Sequence, residues 1–206
     1  MNGNTEHALS IMKKKAFIRK EIESLLPSAE AEALWQRSTE TLASILDRYP
    51  SLPEGVRAHT DKKIFPAAAV YLTARDVFGS DTAYRIVEEY SFRRADKGSK
   101  ALKALIRLPG MKSLFMKLWD PLTHRMFGES SGFRNRFYPA SRNEYRMDVL
   151  ACPYFRYFSE LGCPELTDIF CTCDDRLYGE LKGLEFRRTS TLGRGGEKCD
   201  FCFRKL

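Results

Sequence analysis

Residues 184–204 read Leu-Glu-Phe-Arg-Arg-Thr-Ser-Thr-Leu-Gly-Arg-Gly-Gly-Glu-Lys-Cys-Asp-Phe-Cys-Phe-Arg. The runs Leu184–Thr191 and Lys198–Arg204 carry alternating apolar residues, and Gly193-Arg194-Gly195-Gly196 between them supplies a turn. The segment predicts a β-hairpin. Side chains alternate between the faces of a strand. Leu184, Phe186 and Arg188 therefore share one face, Cys199, Phe201 and Phe203 share one, and Asp200 and Cys202 point the other way. Arg188 stands on the apolar side of its strand. A buried unpaired charge is very costly, so it needs a partner: an internal acid such as Asp174, or a ligand carboxylate held bidentately. Asp200 has the same two readings.

Upstream, Phe133–Tyr138 and Glu144–Leu150 also read as strands, with Tyr145, Met147 and Val149 alternating with Arg146 and Asp148. Short helices are expected over about 153–161 and 164–178. The N-terminal part is helical: His7–Leu26, Ala29–Tyr49, a helix opened by Phe65-Pro66 that ends near Gly79, and one capped by Ser80 over about 81–94. Lys100–Phe127 is basic and amphipathic, kinked at Pro109-Gly110; packing on the core with lysines in water is its expected role, ahead of a membrane-surface helix or a lid. The fold class is α+β: a helical N-terminal half (1–131) packed on a C-terminal antiparallel sheet with short helices (132–206), in one integrated domain.

The chain has 206 residues, 43% hydrophobic and 30% charged, enough for a sizeable core. The net charge of +7 attracts anions, but no block of like charges marks a nucleic-acid-binding arm, and no nucleic-acid partner is expected. No secretory signal and no apolar run of membrane-spanning length are seen. The expected location is cytoplasmic, with reduced thiols and no integral membrane association. P-loop, dinucleotide-binding, Gly-x-Ser-x-Gly and His-Glu-x-x-His motifs are absent, which argues against nucleotide hydrolysis, serine hydrolase chemistry and zincin proteolysis. The histidines have no ligand spacing.

All six cysteines lie between Cys152 and Cys202. Cys152-Pro153 and Cys163-Pro164 place each thiol at an expected helix N-cap, where the dipole would lower its pKa; the alternative is a small buried apolar residue. Cys171 and Asp174 are three apart on one helix and share a face, suited to nucleophile with acid/base or to two metal ligands. Cys173 points away. Cys199-x-x-Cys202 on a strand faces two sides and is a weak redox pair.

Cys152, Glu160-Leu161-Gly162, Glu165-Leu166, Cys171-x-x-Asp174, Arg188-Thr189-x-Thr191-Leu192, a glycine turn and Cys199-Asp200-Phe201 together resemble the L-2-amino-thiazoline-4-carboxylic acid hydrolase family, over about residues 142–204. Cys173 and Cys202 are additions to the pattern. The order of elements is similar, by analogy, to 4-vinyl reductase-type ligand-binding domains. The resemblance implies a hydrolase that opens a five-membered cyclic isothiourea bearing a carboxylate to N-carbamoyl-L-cysteine, on the way to cysteine. Under it, Cys171 attacks, Asp174 transfers protons, Cys152 and Cys199 are reserve thiols, Arg188 binds the substrate carboxylate, and Thr189 and Asp200 orient neighbours. No cofactor is called for. The rival reading is a non-enzymatic sensor in which Cys152, Cys171, Asp174 and Cys199 hold zinc or iron. A second rival is a peripheral membrane or scaffold protein using Lys100–Phe127. A small carboxylate-bearing substrate is the expected partner, and a homo-oligomer is left open.

Overall fold

The computed structural model describes residues 3–206. Helices α1 (Gly3–Lys13), α2 (Ala16–Leu25), α3 (Ser28–Arg48), α4 (Glu54–His59), α5 (Phe65–Phe78), α6 (Ser80–Ile106) and α7 (Met111–Phe127) precede strands β1 (Arg134–Phe137) and β2 (Glu144–Ala151). Then come α8 (Pro153–Glu160), α9 (Leu166–Tyr178), β3 (Leu184–Arg187) and β4 (Cys199–Lys205). The fold is α+β, with an antiparallel four-stranded sheet in the order β1-β2-β4-β3.

Helix α5 is the centre of the helical part. Its alanine-rich sequence buries Phe65, Ala68, Ala69, Val70 and Tyr71 almost completely, because small side chains let α3 and α6 approach it from two sides. The inner face of the sheet presents Tyr145, Met147, Val149, Cys199, Phe203 and Leu184, all buried, to α7 and α9. Phe203 is the hub: Phe115 and Trp119 from α7, Tyr178 from α9 and Phe186 from β3 all meet its ring at 4.9–5.5 Å between centroids.

Several local expectations change. The first helix is two helices, broken at Lys14-Lys15, where the Lys15 ammonium turns to donate to the Lys62 carbonyl. The cap before α6 is Gly79, at φ +82°, and Ser80 is already helical. Helix α6 runs on through Gly98 to Ile106, since packing against α9 outweighs the glycine: Asp96 accepts two hydrogen bonds from Arg176 at 2.6 and 2.8 Å, and Gly98 lies against Leu177. The basic segment is therefore shared by α6 and α7, which meet at a turn where Gly110 has φ +79°. Between α4 and α5 the chain takes one π turn, Thr60–Ile64. Helix α9 begins at Leu166, and Cys163 is a fully buried residue before it rather than its N-cap. Among the described residues no helix is long and apolar enough to cross a membrane.

Candidate functional site

Arg188 follows β3 and keeps the parity of its strand, so its side chain enters the interior, where it is 2% exposed. Its partners are internal. Nη1 donates to Asp174 Oδ2 at 3.2 Å, and Nη2 donates to Asp175 Oδ1 at 2.5 Å and to the Cys171 carbonyl at 2.7 Å. The guanidinium also stands 5.1 Å from the centre of the Phe201 ring and 5.7 Å from that of Phe186. Both terminal nitrogens thus bond the last two turns of α9, so an internal partner, one of the two readings the sequence left open for Arg188, is present.

Asp174 has its pKa raised to about 6: burial is the largest cause, opposed by the positive charges of Arg188 and Lys63 and reinforced by Asp175. Its side chain nevertheless keeps 39% of its surface open. The Tyr154 hydroxyl is within electrostatic reach of Asp174, Cys152 and Cys173.

The thiols Cys152, Cys171 and Cys199 are drawn together from the N-terminus of α8, the middle of α9 and the start of β4, close enough to influence one another's ionisation. None is a standing thiolate. Burial raises Cys152 to about 12 and Cys199 to about 11, in spite of backbone N–H groups that point at each. Burial also raises Cys171, with the Thr191 hydroxyl and Arg188 pulling the other way. Cys152 does occupy the N-cap of α8, but desolvation there outweighs the helix dipole; Cys163 is likewise pushed up to about 12. No cysteine is in a disulfide. Cys173 lies beside Asp174, Lys63 and Asp96 and within electrostatic reach of Tyr154, whereas Cys202 stands apart among Glu144, Arg146 and Arg204.

Thr189 and Asp200 shape the loop after β3. Asp200 accepts from the backbone N–H groups of Thr189 at 2.9 Å and Ser190 at 2.7 Å, and from Thr189 Oγ1 at 2.5 Å. The loop presses Gly193 onto α9, where a Cβ would sit 2.8 Å from Thr167 Cγ2 and 3.1 Å from Cys171 Sγ; only glycine fits. Residues 188–191 and 194–196 line a cleft of about 240 Å³. Its exposed cation, Arg194, is held by Asp168 at 2.5 Å and by Asp175 at 3.3 Å.

Three groups carry no signal in the sequence. His59, at the end of α4, donates from Nε2 to the Met126 carbonyl at 2.9 Å, which leaves Nδ1 to accept from the Tyr154 hydroxyl at 3.3 Å. Burial lowers the His59 pKa, so the pair is neutral. Lys63 projects from the π turn, and among the described residues it forms no ion pair. π turns often mark functional positions, but no glycine or proline betrays this one. Asp175 is the third. Among the described residues no three or more His, Cys, Asp or Glu side chains are grouped to hold a metal ion.

The family model described as L-2-amino-thiazoline-4-carboxylic acid hydrolase matches residues 57–203. The chain belongs to that family. No curated protein and no solved structure gave a match. The matched span reaches upstream of the C-terminal motif and takes in His59, Lys63 and Tyr154 as well as Asp174 and Arg188.

Proposed function

We propose that this family member hydrolyses L-2-amino-thiazoline-4-carboxylate, or a closely related cyclic isothiourea, to N-carbamoyl-L-cysteine, with Asp174 as the group that moves protons. The observation that carries this is the Asp174 carboxyl: raised to about 6, it is mostly ionised at neutral pH yet able to hold a proton, the property a general acid/base needs. Arg188 is a positioning residue. It fixes one Asp174 oxygen and leaves the carboxyl open on the other side.

Water attacks the ring carbon between nitrogen and sulfur while Asp174 takes its proton. The C=N electron pair moves onto the ring nitrogen, which receives that proton from Asp174; the tetrahedral carbon then collapses, the carbon–sulfur bond breaks, and Asp174 passes the second proton, from the hydroxyl, to the departing sulfur as the free thiol. The water oxygen becomes the ureido carbonyl. Burial keeps Cys171, Cys199 and Cys152 protonated at neutral pH, so they line the site and the nucleophile is water. Lys63, which forms no ion pair among the described residues, is the cation near Asp174 suited to the substrate carboxylate, and the neutral Tyr154–His59 pair holds a hydroxyl against the reacting group. The test is incubation with L-2-amino-thiazoline-4-carboxylate, following a free thiol and a ureido product together. Turnover that disappears in Asp174→Asn supports the reading; an unchanged Asp174→Asn enzyme removes Asp174 from it, and no turnover of cyclic isothioureas by the wild-type chain refutes the activity.

A further inference from the structure

Helix α7 has two apolar sides, and the fold uses one. Phe115, Met116 and Trp119 face the sheet and the aromatic hub, and Thr123 bonds the Tyr145 hydroxyl at 2.6 Å. The other side carries Leu114, Leu118, Leu122 and Met126, spaced four apart on one ridge and continued across the turn by Leu105 and Leu108. These six side chains are 41–55% exposed. The core is complete without them, so the ridge is not a remnant of packing, and an apolar patch of this extent marks a contact surface.

The charges around the ridge identify what it contacts. Residues 100–127 contain Lys100, Lys103, Arg107, Lys112, Lys117 and Arg125 against Asp120 alone, which accounts for most of the chain's net charge of +7. Lys103 is bridged to Glu180 at 2.6 Å, whereas Arg107, Lys112, Lys117 and Arg125 form no ion pair among the described residues. At the α6–α7 turn, Arg107, Lys112 and Lys182 line a cleft of about 470 Å³ with no acid in its walls. A second copy meeting this face about a two-fold axis would set like charges against like. An anionic bilayer meets both halves of the pattern: acyl chains for the leucine ridge, headgroup phosphates for the basic turn.

We propose that the α6–α7 turn and the outer ridge of α7 form a peripheral docking site for an anionic phospholipid surface, with the leucines at the acyl boundary and Arg107, Lys112 and Lys182 on the phosphates. The experiment is co-sedimentation of the full chain with vesicles of phosphatidylcholine alone and of phosphatidylcholine containing about 30% phosphatidylserine, at about 0.05 and 0.3 M salt. Binding is expected only with the anionic vesicles, and about tenfold weaker or more at the higher salt. Leu118→Asp/Leu122→Asp is expected to lose about tenfold or more, and Arg107→Ala/Lys112→Ala a comparable amount. All four positions lie outside the core, and unchanged thermal melts verify folding. No binding to anionic vesicles at low salt overturns the proposal. So does binding that survives the leucine substitutions, since it is then non-specific charge attraction. If the wild-type chain is a dimer that Leu118→Asp/Leu122→Asp converts to a monomer without affecting vesicle binding, the ridge is a subunit interface and the proposal is wrong.

Discussion

Asp174 serves the proposed reaction at the expense of the folded chain. Its folded pKa of about 6 stands above the ordinary 3.8, so the folded state binds the proton more tightly than the unfolded one does. The stability this gives is fully present below pH 3.8 and is lost as pH rises through 6. Asp174→Asn keeps an acceptor for Arg188 and removes the charge. It should therefore melt higher than wild type at pH 7.5, with the difference closing toward pH 4, while kcat/KM falls by roughly a hundredfold or more. In the wild type, kcat/KM should rise with pH through an apparent pKa near 6. A variant less stable than wild type at pH 7.5 would show that the Arg188 pairing needs the charge. Cys171→Ser and Cys199→Ser should each keep turnover within about tenfold of wild type, because the route needs no thiolate; loss of all turnover in either would make that thiol the nucleophile. Lys63→Met should raise KM about tenfold or more with little change in kcat, as expected for a charge that holds substrate and transition state alike. Strand parity put Arg188 inside, three-residue helical spacing put Cys171 on the face of Asp174, and both placements are seen. Lys63, His59 and Tyr154 converge on the site only through tertiary packing, and no spacing in the sequence could have joined them.

Elements were legible where a local rule decides them. Strand-forming runs and alternation found all four strands, and Pro27 and Pro153 stand at the starts of α3 and α8, whereas Pro53-Glu54-Gly55 reads as a break and gives no sign of α4. The failures lie where distant contacts decide. A lysine run carries no breaker, yet the chain turns at Lys14-Lys15; Gly98 reads as a weak helix position, yet α9 holds it; the π turn has no sequence mark. The glycine turn of the terminal hairpin is the instructive intermediate case. Its glycines predict a turn through their conformational freedom, but Gly193 is needed for its lack of a side chain, because the loop lies directly on Thr167 and Cys171. Gly193→Val should lift the loop from α9 and cost about 1–3 kcal/mol in urea unfolding. The substitution should also lower turnover, because the loop leads to Arg188. A Gly193→Val chain as stable as wild type would mean that the loop moves aside freely.

At the scale of the whole molecule, the burial that closes the thiol-rich interior also fixes how the fold ends at alkaline pH. Cys152, Cys163 and Cys173 are each pushed up to about 12 and Cys199 to about 11, all chiefly by burial. Tyr145, against Thr123, is also raised to about 12. In the unfolded chain these thiols release their protons near their ordinary value of 9, and the folded chain holds them for another two to three pH units. Over that window the folded state binds more protons than the unfolded one, so stability falls as pH rises. Urea midpoints measured under reducing conditions from pH 8 to 11 should decline progressively, with the decline beginning near pH 9. We propose that the helical region 1–131 and the C-terminal α+β region 132–206 are one integrated domain, as the Asp96–Arg176 and Tyr71–Glu165 contacts between them favour. The two tryptophans can test this, since Trp35 reports on α3 and Trp119 on the aromatic hub. Trp35→Phe and Trp119→Phe chains should show coincident fluorescence transitions at every pH. Replacing Cys152 and Cys163 together by alanine should flatten the alkaline decline, because two of the groups that drive it are gone. Midpoints that stay level to pH 11 would mean that water reaches these thiols in the folded chain, and separate transitions for the two tryptophans would divide the chain into two units.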